Sequence, residues 1–184
     1  MTYEVEQKFP LADVPAFEAR LAELGIKVGE AVTQIDRYFN HPERDFAQTD
    51  EALRIRSVGE ANCVTYKGAK VDATTKTRRE IELAIPPGPN GAGQFAEMLT
   101  ALGFREVATV RKERRTADWE SEGRTAEIAL DRVEGVGQFC EIELSADEAD
   151  LPAARQALSS LAAQLRLGTS ERRSYLELLL RGRG

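Results

Sequence analysis

Glu4-Val5-Glu6-Gln7-Lys8 sets two carboxylates and an ammonium at every second position. In an extended strand alternate side chains share a face, so Glu4, Glu6 and Lys8 stand together while Val5 and Phe9 point the other way. Paired carboxylates suit a divalent cation that prefers oxygen ligands, and an ammonium beside them suits a phosphate. The same spacing also fits a half-exposed antiparallel sheet whose charged face meets water. What the remaining strands do with their charges decides between the two.

The Glu-x-Glu pair returns as Glu80-Ile81-Glu82 and as Glu141-Ile142-Glu143. Cations follow the same alternation. Arg54 and Arg56 flank Ile55, Lys67 opposes Val64 and Tyr66, Arg78 joins Glu80 and Glu82, and Lys112 shares a face with Arg114. Glu127 and Asp131 turn away from Ile128 and Leu130. One face of every strand therefore gathers acids and bases in near balance, while the other is aliphatic or aromatic. A balance of this kind suits metal plus polyanion, because a simple anion site needs mainly bases.

The apolar face needs a cover, and three amphipathic segments supply it. Val14, Phe17, Leu21 and Leu24 have helical spacing and run to Gly25; Phe95, Met98, Leu99 and Leu102 run to Gly103. Leu151, Leu158, Leu161, Leu165 and Leu167 run to Gly168, and a short helix is expected at Ser174–Leu180. Turn residues at Gly59-Glu60, 86–91, Glu122-Gly123 and Gly135-Val136-Gly137 separate the strands. The Pro/Gly stretch at 86–93 reads as linker-like, yet neither half holds enough strand to close alone, so one domain over 1–184 is expected. The expected class is α+β: about eight mostly antiparallel strands closed as a β tunnel with a charged interior, and amphipathic helices packed outside. Charges so confined demand a ligand, since unpaired ones are costly to desolvate. Cations from several strands can hold successive phosphates of a linear polyphosphate, and the acids can bind one or two divalent ions.

Composition narrows the alternatives. The 184 residues carry a formal net charge of −6, which argues against broad nucleic-acid binding by phosphate neutralisation. His41 is the single histidine and sits in the turn-like Asn40-His41-Pro42-Glu43, which argues against a Ser-His-Asp triad or a His-rich metal site. No P-loop motif is present. Two cysteines, Cys63 and Cys140, are too few for a disulfide framework and fit a reducing cytoplasm. Apolar runs fall far short of the ~20 residues of a membrane span. The polar start does not read as a secretory signal. Neither a membrane nor a long nucleic acid is an expected partner.

Taken in order, these residues resemble the CYTH superfamily, the triphosphate tunnel metalloenzymes, over nearly the whole chain. The resemblance is carried by Glu4-x-Glu6-x-Lys8, Gln34-Ile35-Asp36-Arg37-Tyr38-Phe39, Leu53-Arg54-Ile55-Arg56, Tyr66-Lys67-Gly68 and Arg78-Arg79-Glu80-Ile81-Glu82. It continues through Lys112-Glu113-Arg114, Ala129-Leu130-Asp131, the Gly137–Glu143 segment and Ser174-Tyr175-Leu176. It implies an eight-stranded tunnel that binds a triphosphate with Mg2+ or Mn2+. By the same resemblance Glu4, Glu6, Asp131, Glu141 and Glu143 are metal candidates, with Glu80 and Glu82 as ligands or supporting groups. Lys8, Arg54, Arg56, Lys67, Arg78, Lys112 and Arg114 would hold phosphates. Glu4, Glu6, Lys8 and Tyr38 form the implied catalytic set, Tyr38 resembling the tyrosine that pairs with the motif lysine in some hydrolase members.

Two reactions follow from the resemblance. One is hydrolysis of tripolyphosphate, or of an organic triphosphate such as ATP or thiamine triphosphate. The other is class IV adenylyl cyclase chemistry, in which ATP gives cyclic AMP and pyrophosphate. Hydrolysis leads, and cyclisation stays open beside it. A non-catalytic polyphosphate or nucleotide-binding module is a third reading, and the full set of acids counts against it. Monomer and homodimer both remain open, with Leu176 and Leu178–Leu180 serving as core or as a dimer surface.

Overall fold

The computed structural model describes residues 2–70, 77–121 and 123–182; Glu122, expected in a turn, lies outside them. Eight strands run β1 (Thr2–Pro10), β2 (Val32–Asn40), β3 (Ala52–Val58), β4 (Ala61–Lys67), β5 (Arg78–Ile85), β6 (Arg105–Ser121), β7 (Arg124–Val133) and β8 (Gly137–Asp147). They close into an antiparallel barrel in the order β1-β5-β4-β3-β2-β6-β7-β8, as the alternation predicts. Register carries that alternation around the wall. Glu6 lies opposite Glu143 and Lys8 opposite Glu141, Lys67 opposite Glu80, Asp36 opposite Arg56, and Arg114 opposite Asp131. Opposed residues share a face, so a slip of one residue would turn these charges outward and the aliphatics inward.

The outward aliphatics are covered by helices. Helix α1 (Val14–Glu23) starts where the Asp13 carboxylate accepts from the Ala16 N–H and ends before Gly25, whose φ of +73° suits glycine. It buries Phe17 and Leu21. Helix α4 (Leu151–Gln164) buries Leu151, Ala154, Leu158 and Leu161, and both helices pack on Val5, Phe9, Ile128, Ile142 and Leu144. A single turn, α2 (Phe46–Thr49), is capped by Asp45 and was not expected from the pattern.

Three expectations change. The stretch at 86–93 is no linker: it opens α3 (Gly88–Ala101), with proline tolerated in the first turn. Gly91 is required there, because a Cβ would lie 1.9 Å from the Pro86 carbonyl oxygen. The buried stripe of α3 is Ala92, Ala96 and Leu99 against Phe39 and Ile55, leaving Met98 and Leu102 46% and 63% exposed. Small residues let this helix lie close to the sheet, with Phe95 packed partly buried beside the stripe. Finally, α4 stops before Gly168, with Arg166 taking the left-handed conformation at φ 55°.

Helix α5 (Tyr175–Arg181) is fixed by a reciprocal cap: Ser174 Oγ accepts from the Glu177 N–H and Glu177 accepts from the Ser174 N–H. Unlike the other helices, it buries Tyr175 and Leu179 against Tyr38, Ala108, Val110, Val133 and Phe139. Register gives those five the inward face, since Val110 opposes Asp36 and Val133 opposes Lys112. The barrel interior is thus ionic over most of its length and apolar where α5 sits. "Helices outside" holds for α1, α3 and α4, and α5 is the exception.

Candidate metal and phosphate site

A cavity of about 850 Å³ runs through the barrel, and every site residue expected from the sequence lines it except Asp131. Its charges are sorted into separate groups.

Glu4 and Glu6 from β1 meet Glu143 from β8, with carboxylate oxygens all within 4.8 Å of one another. Alternation on β1 and the Glu6–Glu143 register bring these three together. Burial raises the Glu143 carboxyl, and Glu4 and Glu6 beside it add to the rise, to about 8. Glu4 is also raised, by burial first, against the pull of Lys67. Three carboxylates crowded in this way form an oxygen donor set that a hard divalent cation would relieve.

Elsewhere the acids are committed to cations. Asp36 accepts from Arg56 Nε and Nη2 at 2.7 and 2.8 Å and from Arg54 at 3.4 Å. Burial raises its carboxyl, but Arg54 and Arg56 outweigh that and hold it well below the ordinary 3.8. Asp131 takes a two-pronged contact from Arg114 at 2.7 and 2.6 Å, Lys112 at 3.2 Å and the Tyr175 hydroxyl at 2.8 Å. Arg114 also binds Glu141 and lies 3.7 Å from Glu127. Lys67 bridges Glu4 and Glu80 at 2.8 and 2.7 Å. Glu82 accepts from the Thr65 hydroxyl at 3.1 Å.

Of the seven metal candidates, the structure therefore brings Glu4, Glu6 and Glu143 together. It gives Asp131 and Glu141 to Arg114, Glu80 to Lys67, and Glu82 to Thr65. Asp131 sits behind the cavity wall as an anchor for cations, because Arg114 and Lys112 reach it from β6 and cover it. The seven cations expected to meet phosphate all face the cavity, and Arg54 and Arg78 each keep a buried Nε without a hydrogen-bond partner. Burial lowers Lys112, and Arg114 beside it lowers it further, to about 8.

Two residues carry more than the sequence reading gave them. Asp36 organises both β3 arginines; its alternation with Gln34 and Tyr38 was the available signal. Tyr175 supplies the ring beside the motif lysine, its centroid 4.0 Å from Lys8 Nζ. The expected partner, Tyr38, lines the cavity beside Arg54. The Ser-Tyr-Leu motif marked Tyr175 but not its destination.

The structure thus defines a class by its architecture: a closed antiparallel barrel with an acidic trio and a cationic wall in one cavity. The chain belongs to the CYTH domain family, whose family pattern matches residues 2–175. The PH1819 protein of Pyrococcus horikoshii superposes with a TM-score of 0.84 and 38% identity, covering 97% of this chain and 98% of that one. The adenylate cyclase CyaB of Aeromonas hydrophila is 33% identical over 182 residues, covering 96% of this chain and 88% of its own. The thiamine-triphosphatase of Macaca fascicularis is 29% identical over 184 residues, covering 91% and 79%. The two relatives named for an activity are thus enzymes of two kinds, and the family's tunnel enzymes depend on a divalent metal. Among the described residues no helix is long and apolar enough to cross a membrane.

Proposed function

We propose that this chain hydrolyses a small triphosphate, inorganic or organic, with Mg2+ or Mn2+ held by Glu4, Glu6 and Glu143. The observation that carries the reading is the pairing, within one cavity, of that carboxylate trio with a wall of seven cations. When bound, the cation would neutralise phosphoryl oxygens and make the attacked phosphorus more electrophilic.

The chain's own residues would do the rest. Arg54, Arg56 and Arg78 suit planar, two-pronged contacts to phosphate oxygens, while Lys8, Lys67 and Lys112 act as point charges. Asp36 and Asp131 keep the arginines and Lys112 aimed, so little reorganisation is needed as charge shifts toward the leaving oxygen. Water attacks the terminal phosphorus, the bond to the bridging oxygen breaks, the diphosphate remainder departs with that oxygen, and orthophosphate forms at the attacked phosphorus as the water's proton passes to solvent. Tyr38, beside Arg54, would present a hydroxyl to the same anion.

The likeness to a named adenylate cyclase supports a second reading: the ribose 3′-hydroxyl of ATP attacks the α-phosphorus and pyrophosphate leaves. A panel of tripolyphosphate, ATP and thiamine triphosphate with Mg2+ or Mn2+, read separately for phosphate, pyrophosphate and cyclic nucleotide, decides. Phosphate release abolished in Glu4→Ala is expected. Cyclic AMP with pyrophosphate would establish the cyclase, and no product from any substrate would overturn both.

A further inference from the structure

The C-terminal segment reaches the motif lysine by three separate contacts. The Arg173 carbonyl accepts from Lys8 Nζ at 2.5 Å, and the Glu171 N–H donates to the Lys8 carbonyl at 2.6 Å. The Tyr175 ring lies 4.0 Å from Lys8 Nζ and 5.1 Å from Lys112 Nζ. The same tyrosine donates its hydroxyl to Asp131 Oδ2 at 2.8 Å. One side chain thus touches groups from β1, β6 and β7. Its own position is set from behind by Phe139, whose ring meets it edge-on at 5.2 Å, and by the capped start of α5.

Lys8 is only 1% exposed, so its ammonium has lost nearly all its water and depends on the groups around it. A carbonyl oxygen and a ring face attract an ammonium without cancelling its charge. They bear on its direction without themselves neutralising it.

We propose that Tyr175 is a positioning residue: it aims Lys8, and through Asp131 it ties that aim to the Arg114–Lys112 group. The inference rests on the triphosphate-cleaving reading above and adds a requirement for α5. The C-terminal helix is then part of the phosphate site although it contributes no charge to it.

The test is a double-mutant cycle on the full chain with tripolyphosphate and Mg2+, reading kcat and KM separately and the thermal midpoint of each variant. Lys8→Met and Tyr175→Leu are each expected to lower kcat at least about tenfold, and the double variant to fall no further than Lys8→Met. Tyr175→Phe keeps the ring but loses the bond to Asp131, and it is expected to recover kcat to within about threefold of wild type, the remaining deficit being the share carried by the Asp131 tie. Tyr175→Met keeps the bulk without the ring, and it replaces Tyr175→Leu if that variant folds poorly. Multiplying losses in the double variant would overturn the role, as would wild-type kcat in both ring-less variants or a Phe variant as poor as they are. A wild-type chain that turns over no triphosphate overturns the functional reading itself. An active wild type with independent losses overturns only the role of Tyr175.

Discussion

Two groups of carboxylates on opposite parts of the barrel wall stand in opposite electrostatic conditions. Glu4, Glu6 and Glu143 crowd one another, and the Glu143 carboxyl rises to about 8. Asp36 is buried as deeply but lies between Arg54 and Arg56, and its carboxyl is held far down. Burial acts on both in the same direction, so neighbouring charge makes the difference. The trio sets like charges side by side, while Asp36 has its cations built in. The first arrangement suits the cation proposed above, and the second holds Arg54 and Arg56 in place.

The largest effects should come from breaking the trio. Glu143→Gln or Glu4→Ala is expected to lower metal-dependent turnover by more than about 100-fold, since even the outer partners of metal ligands are typically worth 10–100-fold. The same Glu143→Gln change should stabilise the metal-free protein, because it removes one of three crowded carboxylates. A thermal midpoint raised by about 2–4 °C for each kcal/mol of relief would register this in calorimetry with chelator present. A loss of activity coupled to a loss of metal-free stability would count against a site poised for a cation.

Asp36→Asn tests the other side. It leaves two buried guanidinium groups without their shared anion, a change expected to cost about 3–5 kcal/mol in a urea titration. The pH dependence has a definite sign. A carboxyl lowered on folding adds stability that is fully present above its unfolded value, near 3.8, and is lost as pH falls further. The gap between wild type and Asp36→Asn should therefore stay constant from neutral pH to about 5 and close below about 4. A gap that widened on acidification would show that Asp36 is not held ionised by these arginines.

Lys67 joins the two conditions, since it bridges Glu4 of the trio and Glu80. Lys67→Met removes a cavity-facing charge and also returns Glu4 to its crowded neighbours. KM for tripolyphosphate should rise about tenfold, in line with one charge-assisted contact, while kcat falls less. Equal falls in kcat and kcat/KM would instead assign Lys67 to the reacting centre.

The barrel was legible because burial forces a period-two rule onto every strand. Ile55 cannot face inward without Arg54 and Arg56 facing out, and the helices had to cover one side. The trio was partly legible: Glu4 and Glu6 follow from spacing, but selecting Glu143 over Glu141 requires the β1–β8 register. Glu141 sits one alternation earlier on β8, level with Lys8, and Arg114 claims it. Asp36 escaped because a single acid on its strand face carries no repeat to notice. Tyr175 escaped for a different reason. Amphipathic spacing in α5 says which side is apolar, but not that this side enters the barrel instead of covering it.

The smallest effect offers the sharpest control, because it lies next to the largest charges. Glu113 sits between Lys112 and Arg114 in sequence, yet alternation turns it outward, where it meets Arg132 at 2.9 Å with both side chains at least half exposed. Water and salt screen such a pair, so Glu113→Gln should change stability by less than about 0.5 kcal/mol and leave turnover alone. Arg114→Gln, one residue on, strips Asp131 and Glu141 of their shared cation and should both unfold more easily and lose activity. Adding salt to about 0.5 M should erase whatever Glu113 contributes without narrowing the Arg114 deficit, which lies beyond the reach of screening. Comparable costs at 113 and 114 would mean that β6 does not hold the strict alternation on which both the trio and the cationic wall depend.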